Sequence, residues 1–176
     1  MVMPEGIVSI SGVVDAWGNR IAAPAAAKAG LIELPQNYVH PSWMPATEVC
    51  IGGNNFTDLG RKHLAYLFGG RTPVSDYFCT SFGAGTGITA ASTADTGLEE
   101  PVNLGVSATK AIDSITFTHD YVAEIQFTIG ADEANGYLLT ELGLFAGNGV
   151  LLARKTGYNL NKHAGFAPTL VWRITF

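Results

Sequence analysis

From Ile115 onward the sequence alternates. Ile115, Phe117, His119, Tyr121, Ala123, Ile125, Phe127 and Ile129 stand two apart. A dense stretch from Leu138 to Phe145 follows, and Leu170, Trp172, Ile174 and Phe176 complete the pattern. Successive side chains of an extended chain point to opposite sides, so apolar residues at this spacing line one face of a sheet. The last 62 residues therefore predict a β-rich module built for packing. A chain ending on Phe176, with no polar tail, is expected to end inside a sheet and to tolerate a C-terminal tag poorly.

A chain of 176 residues fits one domain with an appended arm. Charged residues make up 14% of it and apolar residues 47%, and the mean hydropathy is positive. Ordinary soluble domains carry about 25% charged residues. No stretch approaches the roughly 18 consecutive apolar residues of a spanning helix, so a membrane-spanning reading is set aside. A surface partly covered by neighbours accounts for the low charge, because interface cores are depleted in charge. The competing account is a compact β-sandwich with a Thr/Ser/Asn-rich surface.

The net charge is −5, and the basic residues are scattered, with only Arg61-Lys62 and Arg154-Lys155 adjacent. A nucleic-acid binder would show a basic stripe. Cys50 and Cys79 are far apart; two buried free thiols are favoured over one disulfide between them, and the absence of a CxxC disfavours a redox or zinc motif. The first residues lack the basic and apolar regions of a signal peptide, so synthesis in the cytoplasm is expected.

Residues 1–53 read as an extended N-terminal arm and residues 54–176 as the β-domain. Within the arm, Ile7 to Val14 has strand character, and Pro24 and Gly30 restrict the alanine-rich stretch between them. Pro35, Tyr38, His40, Pro41, Trp43, Met44 and Pro45 suggest a chain lying extended over another surface, its own domain or a neighbour. Tyr38, Trp43 and Met44 are accordingly candidate interaction residues. Between residues 54 and 70 an amphipathic helix is expected, capped by Asn55 or Thr57 and ended by Gly69-Gly70. Its buried stripe would be Leu59, Leu64, Leu67 and Phe68, with His63 solvated. A short strand from Val74 to Phe82, a long surface loop from Gly83 to Gly97, and a returning strand from Val102 to Lys110 follow. Turns are placed at Asp132–Gly136 and at Ala146–Gly149, and a loop at Tyr158–Pro168. Six to eight mostly antiparallel strands fit a β-sandwich of jelly-roll type.

The search for chemistry returns little. Phe82 to Gly87 lacks the spacing of a dinucleotide loop and the lysine of a Walker loop, so a turn-rich structural loop is expected. His40, His63, His119 and His163 form no ligand motif. Glu99-Glu100 reads as a solvated turn, and Asp132 and Glu133 lack the oxygen ligands calcium needs. No catalytic, metal or cofactor site is assigned.

The string from Thr140 to Arg154, TELGLFAGNGVLLAR, resembles a pattern in small structural proteins of tailed bacteriophages. The terminal strand with Trp172, and upstream Phe82 to Gly87 with Asp95-Thr-Gly-Leu98, are similar to segments around that pattern. The resemblance covers residues 54–176 and implies a tail-collar, tail-fibre-associated or decoration protein, a virion component made in the host cytoplasm. It implies partners among virion proteins and copies of itself, a trimer among the candidate states, with no membrane, nucleic acid or cofactor. Glu141 and Arg154 are candidate interaction residues, expected to pair across the hairpin on an exposed face for less than about 1 kcal/mol. The competing functions are a carbohydrate-binding module using Trp43, Tyr38 or Tyr158 as a platform, and an enzyme using the 83–97 loop with Asp95 or His163.

Overall fold

The computed structural model describes residues 5–11, 49–119 and 122–175, with side chains from 56 to 117 and from 122 to 175. Ten strands form one antiparallel sheet. They are β1 (Glu5–Ser11), β2 (Val49–Phe56), β3 (Cys79–Gly85), β4 (Pro101–Val102), β5 (Thr109–Ala111), β6 (Ser114–His119), β7 (Val122–Thr128), β8 (Leu138–Ala146), β9 (Leu151–Asn161) and β10 (Thr169–Thr175). One helix, α1 (Asp58–Phe68), follows β2, and a single 3-10 turn spans Val74–Asp76. In space the strands run β4-β3-β8-β9-β2-β1-β10-β7-β6, with β5 pairing β3 off this path. Among the described residues the architecture is mainly β and antiparallel with one helix, as the sequence predicts.

The sheet curls back on itself. Phe82 on β3 stacks against Phe127 on β7 at 4.4 Å between ring centres, although their strands lie near opposite ends of the order. Trp172, Phe82 and Phe127 are wholly buried in this core, each contributing about 1.5–3 kcal/mol of apolar burial. The segment through β5 and β6 joins the two ends of the curl. Ala111 pairs with Ser81, the Ile112 N–H donates to the Thr80 carbonyl, the Asp113 N–H donates to the Gln126 carbonyl, and Ser114 pairs with Gln126.

Residues 5–11 and 49–53, read from the sequence as arm, lie in β1 and β2 between β10 and β9. Residues 12–48, with Tyr38, Trp43 and Met44, are outside the described residues, as are Phe176 and the side chains of Cys50 and His119.

Helix α1 starts as its sequence suggests. The Thr57 hydroxyl oxygen accepts from the Gly60 N–H at 2.8 Å and donates to the Leu151 carbonyl at 2.6 Å, so the cap also ties the helix to β9. The expected apolar stripe is corrected. Phe68 is 93% exposed, whereas Gly60 and His63 are buried. The helix approaches β9 so closely that Gly60 rests on the Leu152 backbone. His63 satisfies its ring nitrogens with the Leu59 carbonyl and the Asn148 side chain.

Two other expectations are corrected. Val74–Asp76 is a 3-10 turn, and the strand begins only at Cys79. Gly83 to Gly85 belong to this buried strand rather than to a surface loop. In the alternating run, Ile125 and Phe127 are buried, but Phe117 on β6 is 75% exposed. The hairpin at Ala146–Gly149 and the turn at Asp132–Gly136 lie as read, with Gly149 at φ 81°.

Candidate functional site at the Glu141–Arg154 lock

Strand β8 is buried on both faces, from Leu139 to Ala146. Leu142 and Leu144 face the core. Glu141 and Gly143 face the other way and are covered by residues 86–100, which form a strap across the outside of β3 and β8. A Cβ on Gly143 would lie 3.0 Å from the Leu98 side chain of the strap and 2.8 Å from that of Leu151. The glycines of β3 and β8 are thus spaces into which the strap and its neighbours fit.

Glu141 fastens the strap. Its Oε1 accepts from the N–H groups of Gly87 at 3.2 Å and Glu100 at 2.8 Å. Its Oε2 accepts from the Glu99 N–H at 3.0 Å, from Arg154 Nε at 3.0 Å and from Arg154 Nη2 at 2.8 Å. An irregularity in register between Leu139 and Glu141 lets the neighbouring Thr140 hydroxyl donate to the Gly87 carbonyl at 2.9 Å. Arg154 continues outward from the lock. Its Nη1 donates to Asp95 Oδ2 at 2.9 Å and its Nη2 to Glu99 Oε2 at 3.4 Å. The far end of the strap reaches the helix, where the Asp58 N–H donates to the Thr93 carbonyl at 2.7 Å.

The expected Glu141–Arg154 pair therefore forms, but its expected exposure is corrected: Glu141 is 0% and Arg154 2% exposed. An ion pair at this depth is held by complete hydrogen bonding, and removing one member strands the other. Both Glu141 oxygens are occupied by donors, so this carboxylate fixes chain and has no lone pair directed at a ligand. Glu99 and Glu100 lie exposed in a bend, as read, and the Glu99 side chain also binds Thr89 through both oxygens.

Asp95 and Glu99 are the partners that sequence reasoning did not connect to Arg154. Asp95 had one signal, membership of the resembling Asp95–Leu98 segment, and Glu99 had none, because separations of 59 and 55 residues leave no periodic trace. Tyr158, a proposed sugar platform, is buried at 6% exposure, and burial raises its hydroxyl pKa well above the usual value. His163 is exposed and stacks on Phe166 at 5.4 Å. Cys79 is a free buried thiol pushed up to about 12 by burial. Among the described residues no group of three His, Cys, Asp or Glu side chains is placed to hold a metal, and no helix is long and apolar enough to cross a membrane.

The fold should respond to acid at two carboxylates, Glu99 beside the lock and Glu133 in its pair with Lys110. The Thr89 hydroxyl, then the Thr89 N–H and the Arg154 charge, hold the Glu99 carboxyl below its usual range despite some burial. Burial pushes Glu133 up, but hydrogen bonds from Lys110 and the Gly130 N–H, with the Lys110 charge, outweigh it and leave that carboxyl lowered. A carboxyl lowered by folding stabilises the fold above its unfolded pKa, and the contribution fades as pH falls through the folded one. Urea midpoints are therefore expected to hold above about pH 5 and to fall between about pH 5 and pH 3. A midpoint unchanged over that interval would remove both carboxylates from the account.

On the opposite flank, an apolar groove of about 210 Å³ lies between α1 and strands β6 and β7. Leu64, Phe78, Ile115, Phe117 and Ile125 line it. Among the described residues β6 pairs only with β7, so its other edge is open.

The described residues thus define a curled antiparallel β-protein whose outer face is strapped down by a buried ion-pair network. No protein-family model matches the chain, and no curated protein or solved structure matches it.

Proposed function

We propose that the chain is a non-enzymatic structural component of a tailed-bacteriophage virion, a β-sandwich module that associates with copies of itself and with neighbouring virion proteins. One observation carries this reading. The segments that resemble phage structural proteins, Phe82–Gly87, Asp95–Leu98 and Thr140–Arg154, converge on the Glu141–Arg154 lock. The ionisable groups of the motif are consumed in holding strap to sheet, which is what a load-carrying module requires of them. The assembly half of the reading is supported by low charge and by the uncharged edge of β6, unpaired among the described residues, with Phe117 at 75% exposure. Edge strands are usually blunted by charge, and an unblunted one is suited to contact with another chain.

Sedimentation velocity of the purified full chain across the micromolar range tests self-association. An oligomer is expected, and Phe117→Ser should shift it at least ten-fold toward monomer while leaving the circular dichroism unchanged. Immunogold labelling of virions from the source phage is expected to mark the particle. A monomer at every concentration, together with unlabelled particles, would overturn the proposal.

A further inference from the structure

Beside the lock, the strap meets the turn before β8 across a cleft of about 350 Å³. Thr86, Glu100, Pro101, Asn103, Asn135 and Tyr137 line it. Its volume lies at the lower end of the about 300–1,000 Å³ of small-molecule sites.

Both walls are fixed from beneath by buried charge. On the strap side, the Thr86 N–H donates to the Glu100 carbonyl and its hydroxyl to Glu100 Oε2, each at 2.9 Å. The Glu100 N–H is itself bound to buried Glu141. On the turn side, wholly buried Lys162 extends its ammonium to the Ala131 carbonyl at 3.2 Å, Asn135 Oδ1 at 2.9 Å and the His163 carbonyl at 3.3 Å. The Gly136 N–H donates to the Lys162 carbonyl, and the Lys162 N–H to that of Tyr137.

This turn also contains the one non-glycine residue with positive φ among the described residues, Ala134 at 51°. A side chain in that region costs roughly 1–2 kcal/mol and persists where the surroundings dictate it. The strain places Asn135 and Tyr137 at the cleft, and a site rigid before binding loses less on ordering.

The groups presented have a definite chemistry. Tyr137 is 49% exposed. Glu100 Oε1 and the exposed Asn103 amide have no hydrogen-bond partner among the described residues. A carboxylate oxygen accepts from hydroxyls, an amide both donates and accepts, and an aromatic face packs on the C–H face of a pyranose. No Lys or Arg lines the cleft, and Glu100 repels anions, so phosphate and nucleotides do not fit. We propose that this cleft binds a neutral saccharide, one or two pyranose units of a glycan. Tyr137 would be the stacking platform, and Glu100 and Asn103 the hydroxyl-binding groups.

The test is an amide NMR titration of the full chain with maltose, cellobiose, lactose and N,N′-diacetylchitobiose, a set spanning gluco, galacto and N-acetyl pyranoses. At least one is expected to give saturable shifts confined to the amides of residues 86, 100, 102, 103 and 134–137. Tyr137→Ala should weaken that binding at least ten-fold, and Asn103→Ala several-fold, with spectra elsewhere unchanged. Tyr66→Ala, on the helix, should bind as the parent does. The proposal is overturned if no sugar of the set shifts these amides saturably, or if the shifts survive Tyr137→Ala in a folded protein.

Discussion

Replacing Glu141 with alanine is expected to destabilise the protein by about 3–5 kcal/mol, the cost of breaking a buried ion pair by removing one partner. Three strap N–H groups, those of Gly87, Glu99 and Glu100, lose their acceptor at once. Arg154, at 2% exposure, keeps only Asp95 and the longer contact to Glu99. Glu141→Gln should recover little, because its amide nitrogen would point hydrogens at groups that are themselves donors. Arg154→Met should be milder, since the three backbone donors keep their carboxylate. Urea unfolding measures these differences, and limited proteolysis should find the first cuts of the alanine variant within residues 86–100. A loss under about 1 kcal/mol, the worth of an exposed pair, would remove the lock from the account.

Gly60→Ala is expected to be as damaging, although helix propensity alone argues the opposite. In an exposed helix interior, alanine is better than glycine by about 1 kcal/mol. Here the added Cβ falls on the Leu152 backbone carbonyl, an atom fixed in β9 and already bound by Thr57. The helix must move off the sheet, and the Thr57 and His63 bonds are drawn out of register with it. A loss of about 3 kcal/mol or more is expected, the upper range of overpacking. Gly97, which has open space where a Cβ would stand and no positive φ, provides the control, and Gly97→Ala should change little. Equal midpoints for the two variants would show that the close approach of helix and strand does not constrain the fold.

Much of the fold was legible because its signals are local. The Thr57 cap, the Ala146–Gly149 turn and the buried alternation of Ile125 and Phe127 each depend on residues near in sequence. What failed depends on contacts over long separations. Phe82–Gly87 reads as a loop by its glycines, yet those glycines exist because Glu141 and the strap occupy the space of their side chains. Glu141 looked exposed because alternation assigns one face of β8 to solvent, and nothing in the spacing announces a second layer. His63 looked solvated beside Lys62, but Gly60 draws its side of the helix onto β9. Of the candidate interaction residues, the Glu141–Arg154 pairing was readable across the hairpin, whereas the strap residues that complete it were not. The cleft beside the lock had no sequence signature, since β4 and the 131–137 turn meet only in the folded chain.

The position of β10 has a consequence in time. It pairs with β1 on one side and β7 on the other, and it carries Trp172 into the centre of the core. β10 follows every other described strand in the chain, so those strands are synthesised before the one that joins them exists. Until then β1 and β7 each offer an unsatisfied backbone edge in a crowded cell, the condition under which nascent β-proteins cross-associate. The vulnerable interval in the life of this chain is the one that closes when β10 is made.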